Sequence, residues 1–390
     1  MNAQVQVLRR ATERRLPFER VVLALQGGGA LGAYQAGVYA ALAESGIQPD
    51  WIAGISIGAI NAAIIAGNPP NSRVERLREF WTQVTTDGLW PGLGDGAMGI
   101  AGGEAVRNLL NQMSAGFALT RGARGFFAPR PVTPWLQPAG MIEATSFYDI
   151  SDLKRTLERL VDFDRLNAGT TRFSVGAVNV RTGNFVCFDT TTHAIRPEHV
   201  MASAALPPGF PAVEIEGEHY WDGGLVSNTP LQWVVETQPR RDTLAFEVDL
   251  WSARGEFPND MLDVMTREME IRYSSRTRSG DDRFRHLQRL RCAIAGLLEQ
   301  LPEHLRNGAE AQLLSTVADR KVYNVVHLIY RPQSHEGHSK DYEFSRRSME
   351  EHWRAGCHDA VRTLRHPEVL QRPTGHEGVL TFDLAVDGRE

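Results

Sequence analysis

An α/β fold built on a largely parallel sheet is what this chain of 390 residues predicts. Three observations carry that expectation. Val21 to Leu25 is a short apolar run closed by glycines, the signal of a buried parallel strand. Leu31, Tyr34, Val38, Ala41 and Leu42 then recur mostly at helical spacing, so a helix follows the strand. The alternation repeats in Trp51 to Ile55 with Ile57 to Ala66, and again in Pro230 to Thr237 with Thr243 to Leu250.

Taken in order, residues 1–18 are charged and mixed and read as an N-terminal arm or short helix. Gly46 is placed to stop the first helix, and Asn68-Pro69-Pro70 ends the small-residue helix before it. Arg73 to Val84 is amphipathic. Residues 87–140 change character: glycines, prolines and the aromatics Trp90, Phe117, Phe126, Phe127 and Trp135 are interleaved. Long irregular stretches inside a domain are usually functional or mobile. This one is either a flap over a cleft or an insertion that its aromatics pack down.

Ser151 to Val161 is helical, and Arg172 to Val180 and Asn184 to Asp189 are strands joined at Arg181-Thr182-Gly183. Beyond residue 250 the chain turns rich in Arg, Leu and Glu. Asn259 to Thr316 and Asp341 to Leu364 read as helices, and Val322 to Tyr330 as one late strand. The expected division is an arm (1–18), a main α/β domain (19–250) and a mostly helical C-terminal region (251–390).

Composition narrows the function. The apolar fraction is 42%, charged residues make up 23%, and the net charge is −5. No basic balance for nucleic acid is present, whereas a local patch could still meet a membrane. No run of about 18 apolar residues occurs, and the basic start lacks the apolar core of a secretory signal. The three scattered cysteines fit a reducing, cytoplasmic compartment and no structural zinc.

Two glycine-rich turns carry chemistry. Gly54-Ile55-Ser56-Ile57-Gly58 lies between a strand and a helix, a sharp turn that projects the serine hydroxyl. Side chains at its glycines would collide with neighbouring backbone, and the helix that follows favours a developing alkoxide. Gly27-Gly28-Gly29-Ala30-Leu31-Gly32 also fits the GxGxxG dinucleotide pattern. That pattern wants an acid at the end of the next strand, and Asp50 stands before it. What remains is a set of backbone N–H groups at a helix start, an anion site that becomes an oxyanion hole beside a nucleophile. One such donor contributes about 3–4 kcal/mol. Asp222-Gly223-Gly224 is a tight turn that leaves a carboxylate free. His335, His338 and Asp341 have spacing that could suit a metal, in a polar loop; the expectation is no metal and no cofactor.

Together, the triple glycine before a helix, GxSxG on the next strand and a later Asp-Gly-Gly resemble the patatin-like phospholipases over roughly Val21 to Thr237. Ser203-Ala204, Pro207-Pro208, Phe210 and Asn228-Thr229-Pro230 resemble that family's connecting segments. The resemblance implies a three-layer α/β/α fold and a Ser–Asp dyad that hydrolyses acyl esters of lipids. Ser56 would be the nucleophile and Asp222 the base. Gly54 and Gly58 would shape the nucleophile's turn, and Gly223 and Gly224 the base's turn. N–H groups around Gly28, Gly29 and Ala30, framed by Gly27 and Gly32, would receive the oxyanion. A carboxylate of pKa about 4 is a weak base for a serine, so burial must raise Asp222. Twelve histidines leave a hidden triad open, with His219 nearest in sequence. Leu31 departs from the Arg or Lys usual in the family, which weakens the case for a phospholipid head group more than that for ester cleavage. The reading is therefore an acyl-ester hydrolase acting on lipid, with peripheral membrane contact open and oligomeric state undetermined. Its alternative is a regulatory lipid-surface or interaction protein that keeps the fold.

Overall fold

Every residue of the first strand, β1 (Arg20–Leu25), is buried, because both faces of its sheet are covered. Val21, Leu23 and Leu25 enter one apolar core and Val22 the other. This alternation is the period of two that a strand imposes on its side chains. The computed structural model describes residues 16–85, 103–332, 336–337, 339–374 and 378–384, with main chain alone for 103–110, 275–279 and 281. The arm up to residue 15, the glycine-dense part of the 87–140 stretch with Trp90, and His335 and His338 lie outside the described residues.

The strands after β1 are β2 (Trp51–Gly54), β3 (Arg172–Asn179), β4 (Phe185–Asp189), β5 (Val213–Ile215), β6 (Glu218–Asp222), β7 (Thr243–Asp249), β8 (Tyr323–Ile329) and β9 (Val379–Phe382). They form a nine-stranded sheet in the order β9-β8-β7-β1-β2-β3-β6-β5, with β4 also on β3. The run from β9 to β3 is parallel, and β4, β5 and β6 are joined by antiparallel pairs.

On one face lie α1 (Ala33–Glu44), α2 (Ile57–Ala66), α3 (Arg73–Val84), α5 (Ser151–Leu160), α6 (Pro197–Ser203) and α10 (Arg346–Leu364), all contributing to the larger core. On the other lie α7 (Leu231–Glu236) and the 40-residue α8 (Met261–Gln300). The helices α4 (Gly103–Arg121) and α9 (Ala309–Val317) complete the named set. This is the three-layer α/β/α arrangement. α2 is buried all round, as its apolar composition requires.

Several expectations are revised. The C-terminal region is mostly helical, but β8 and β9 extend the central sheet beyond β7. The last charged helix starts at Arg346, where Ser345 caps it by accepting from the Ser348 N–H at 3.2 Å, and not at Asp341. The stretch expected to be irregular contains α4. Its aromatics divide: Phe126 and Phe127 are buried against Tyr148, Phe210 and Phe344, whereas Trp135, with the aliphatic Leu136 beside it, is 84% exposed.

The helices α1 and α10 touch backbone to backbone. A Cβ built on Gly356 would stand 2.0 Å from the Tyr34 carbonyl oxygen, and one on Gly37 2.0 Å from that of Trp353. Gly356→Ala should therefore destabilise the protein by about 1–3 kcal/mol, the range for overpacking. An unchanged urea midpoint would contradict this close crossing.

Candidate active site

The site is assembled by register on one strand. β3 has two edges, and β4 takes one of them along Ser174 to Val178. The other edge is shared: β2 pairs with Arg172 to Val175, and β6 with Ala177 to Asn179. Gly54 is opposite Val175 and Asp222 opposite Ala177. β2 and β6 thus run toward each other along the same edge and meet head to head, and the turn that leaves each strand carries Ser56 or Asp222.

Ser56 has φ 56° and ψ −125°, a left-handed conformation costly for a side-chain-bearing residue. Such strain costs of order 1–3 kcal/mol and persists only where the surroundings over-determine it. Here they do. A Cβ on Gly54 would be 2.3 Å from the Gly58 carbonyl oxygen, and one on Gly58 2.3 Å from that of Leu25. The Ser56 N–H points to the carbonyl and hydroxyl oxygens of Ser203, each at 3.2 Å. Its side chain is held half-exposed at the N-terminus of α2.

The Asp222 carboxylate accepts from the Gly224 N–H at 2.7 Å, and the Ser56 hydroxyl lies close enough to lower its pKa. It is 1% exposed. Burial pushes its pKa up to about 7, against the lowering effects of the Ser56 hydroxyl and the Gly224 N–H. No histidine among the described residues bonds to it. His219 is exposed, and it lies three residues before Asp222 on β6, so the two point to opposite faces.

The first glycine turn lies alongside. A Cβ on Gly27 would be 3.0 Å from the Ser56 Cβ. Gly28 and Gly29 are half-exposed, and their N–H groups donate to no other described residue. Ala30 differs from expectation, since its N–H is taken by the Asp341 carbonyl oxygen at 2.7 Å. Gly29 has φ +55°, and a Cβ there would be 2.1 Å from that same oxygen. Gly32 serves packing, because a Cβ would press on Ile57 and Trp81. Gly223 likewise lies against backbone, 2.5 Å from the Gly176 oxygen to its built Cβ, and Gly224 supplies the N–H to Asp222.

Side chains to which the sequence assigned no role in the site fix this turn. Asn228 Nδ2 donates to the Gly27 carbonyl at 3.1 Å, and Trp251 Nε1 donates to it at 2.9 Å. Gln26 Oε1 accepts from the N–H groups of Leu250 and Trp251 at 2.7 and 3.1 Å. Asp341, considered above only as a metal ligand, reaches the turn from the C-terminal region. Burial pushes its carboxyl up to about 6. Only a long-range contact reveals that placement. Leu31 is fully buried in the core and does not face the site. Asp50 binds the Val21 N–H at 2.8 Å, at the opposite end of the strands from the glycine turn. Elsewhere, Glu247, Asp249 and His327 form a buried group with ligand atoms within 4.8 Å of one another, in which His327 Nδ1 engages Glu247 at 3.1 Å.

A strand–turn–helix serine beside a buried carboxylate on a mainly parallel α/β sheet defines a class, and comparison with known proteins gives the family. A model described as patatin-like phospholipase matches residues 23–234, more than half of the chain. The chain belongs to the patatin-like phospholipase family. A second model, described as patatin phospholipase, matches residues 271–376. Among curated proteins, the chain is similar to patatin-like phospholipase domain-containing protein 7 of Rattus norvegicus, 40% identical over 73 residues, 19% of this chain and 5% of that protein. It is also similar to lysophospholipase nte1 of Aspergillus terreus, 55% identical over 53 residues, 14% of this chain and 4% of that protein. The matches thus span a small fraction of those relatives. VipD from Legionella pneumophila aligns over 94% of this chain and 72% of its own, with 15% identity and a TM-score of 0.41.

Burial of Asp222 has a cost that depends on pH. An unfolded aspartate titrates near 3.9, the folded Asp222 at about 7. The neutral form is therefore favoured by folding. Its stabilising effect is complete below about pH 4 and is lost as the pH rises through about 7. Asp222→Asn removes that loss, so at pH 8 the variant should be more stable than wild type, by about 4 kcal/mol at most. At pH 4 the difference should vanish. Thermal or urea unfolding at the two pH values checks this, and an equal difference at both would contradict it.

Proposed function

We propose that this protein is a serine hydrolase of lipid acyl esters, working through Ser56 and Asp222. The observation that carries the reading is the meeting of β2 and β6 on one edge of β3, which sets the Ser56 hydroxyl beside a buried Asp222 whose pKa is brought to about 7. Ser56 Oγ attacks the ester carbonyl while its proton passes to Asp222. The negative oxygen that results accepts from the N–H groups of Gly28 and Gly29. The leaving alcohol takes the proton from Asp222, and water, deprotonated by Asp222, then releases the acyl group from Ser56. No metal or cofactor enters these steps. The matches to phospholipases and a lysophospholipase support a lipid ester as the substrate class.

Ser56→Ala should lower hydrolysis of a short-chain nitrophenyl ester at least about a thousandfold, as for other nucleophile deletions. In wild type, kcat/KM should rise with pH and level off above the Asp222 pKa of about 7, because the base must be ionised. Retained activity in Ser56→Ala, or a profile flat across neutral pH, would overturn the assignment.

Peripheral contact with a membrane is part of the same proposal. No helix among the described residues is long and apolar enough to cross a bilayer. Trp135, Leu136, Met141 and Ile142 instead stand exposed on one proline-rich segment, a composition suited to the lipid–water interface. That segment is anchored where Phe147 and Tyr148 donate to the Pro208 and Gly209 carbonyls at 3.1 and 2.9 Å. A Trp135→Ala, Leu136→Ser double variant should lose about tenfold in hydrolysis of esters held in vesicles, or about 1.4 kcal/mol of surface affinity. Its activity on a soluble short-chain ester should stay unchanged. Equal effects on both substrates would remove this surface from the proposal.

A further inference from the structure

The long helix α8 belongs to the C-terminal region, yet one of its residues is fastened to both halves of the site. The Tyr273 carbonyl accepts from Gln26 Nε2 at 3.2 Å and from Asn228 Nδ2 at 3.4 Å. Gln26 leads into the glycine turn, and Asn228 follows Asp222. The Tyr273 ring packs on Trp251, with centroids 5.5 Å apart and planes at 32°. Trp251 in turn holds the Gly27 carbonyl. The ring is therefore rigidly placed, and it is only half-buried.

The Tyr273 hydroxyl makes no hydrogen bond with any other described residue. Burial first, and then the charge on Asp222, raise its pKa, with Asp341 adding to the effect. The group therefore stays a neutral phenol, able to donate and accept. Asn228, which holds the Tyr273 carbonyl, also borders the Asp222 turn: a Cβ on Gly224 would be 3.0 Å from both the Asn228 side-chain oxygen and the Asp222 carboxylate, so Tyr273 stands on the Asp222 side of the site. In the proposed reaction Asp222 returns its proton to the leaving oxygen, so the alcohol half of the substrate lies on the Asp222 side. An ester that fills the cleft strips water from the phenol. A hydroxyl left without a partner on desolvation costs roughly 1–3 kcal/mol, unless the alcohol supplies an oxygen.

We propose that the Tyr273 hydroxyl hydrogen-bonds the alcohol half of the substrate and selects alcohols that carry a further oxygen next to the ester, as glycerol does. This rests on the serine-hydrolase reading, and it gives the C-terminal region a direct part in substrate choice. Discrimination by a single neutral hydrogen bond is about tenfold.

The test compares wild type with Tyr273→Phe, which keeps the stacked ring and removes one oxygen. Two substrates share an acyl chain: a 1-monoacylglycerol and the propyl ester. The readout is the ratio of their kcat/KM values, which a partly unfolded preparation does not alter, since lost enzyme lowers both alike. The ratio should favour the glyceryl ester in wild type and fall about tenfold in Tyr273→Phe. Labelling of Ser56 by a fluorophosphonate should be the same in both. If wild type hydrolyses both esters and the ratio does not move in the variant, the assignment of Tyr273 fails alone. If wild type neither hydrolyses an ester nor labels at Ser56, the hydrolase reading fails and the Tyr273 proposal with it.

Discussion

The head-to-head meeting of β2 and β6 on one edge of β3 is the constraint on which the rest of the site depends. Neither Ser56 nor Asp222 could find the other through local structure, since 166 positions of numbering separate them. Register does the work instead. Two residues along β3, from Val175 to Ala177, are all that separate the end of one strand from the end of the other. A one-residue slip of either strand would turn its side chains to the opposite face. The slip is resisted on both sides of the sheet, because Trp51 and Ala53 enter one core and Ile52 the other. Apolar burial at about 25 cal/mol per Å² therefore fixes the chemistry indirectly, by fixing which residues of β2 face which layer.

The glycine turn is fixed by polar contacts rather than apolar ones. Trp81 Nε1 donates to Asn61 Oδ1 at 3.0 Å, and Asn61 Nδ2 donates to Gln35 and to the Gly32 carbonyl at 2.9 Å each. Gln35 donates to the Gln26 carbonyl at 2.7 Å. From Gln26 the chain continues to Leu250, Trp251 and Tyr273. Trp81, Asn61, Gln35 and Gln26 are all essentially inaccessible to solvent. Polar groups buried this deeply are tolerated only when satisfied, and a satisfied network then specifies a single arrangement. It ties α1, α2 and α3 on one face to α8 on the other, through the turn whose N–H groups matter. The Asp341 carbonyl closes the circuit at Ala30.

These contacts explain what could be read from the sequence. β1, α1, β2 and α2 were legible because a strand, a glycine turn and a helix are local patterns, and Ser56 sits within one of them. The strand over Tyr323–Ile329 was legible for the same reason. Asp222 emerged only through the resemblance, since an Asp-Gly turn is common and its pairing partner is β3. The short hairpin of β5 and β6 and the edge strand β9 take their strand character from neighbours rather than from strong periodicity of their own. Leu31 stands where the resemblance puts a cation, yet its side chain turns into the core as the helical turn around it closes. Tyr273 and Asp341 carry no motif. The hold each has on the site comes from a carbonyl oxygen, a group every residue type supplies, so only the long-range geometry marks them.

The two glycine turns divide the labour in a way that their similar sequences do not reveal. The Ser56 N–H is directed at Ser203, so the amide of the proposed nucleophile serves to hold its own turn. In the proposed reaction the oxyanion must therefore be met by the other turn, where Gly28 and Gly29 keep their N–H groups while Ala30 gives up its own. That sacrifice is what anchors the turn: with Ala30 bonded to Asp341, the conformation of Gly29 is set from outside the strand–turn–helix unit. The proposed base is arranged by the same economy. A histidine would need a third residue to orient it, whereas Asp222 is oriented by the Gly224 N–H two residues on in its own turn. In the proposed reaction, burial then brings its basicity up to the range a serine needs. In the proposed reaction, the pieces that a triad would gather from three segments are supplied by the Ser56 turn, the Asp222 turn and β3 between them, with the C-terminal region closing the arrangement from the far side.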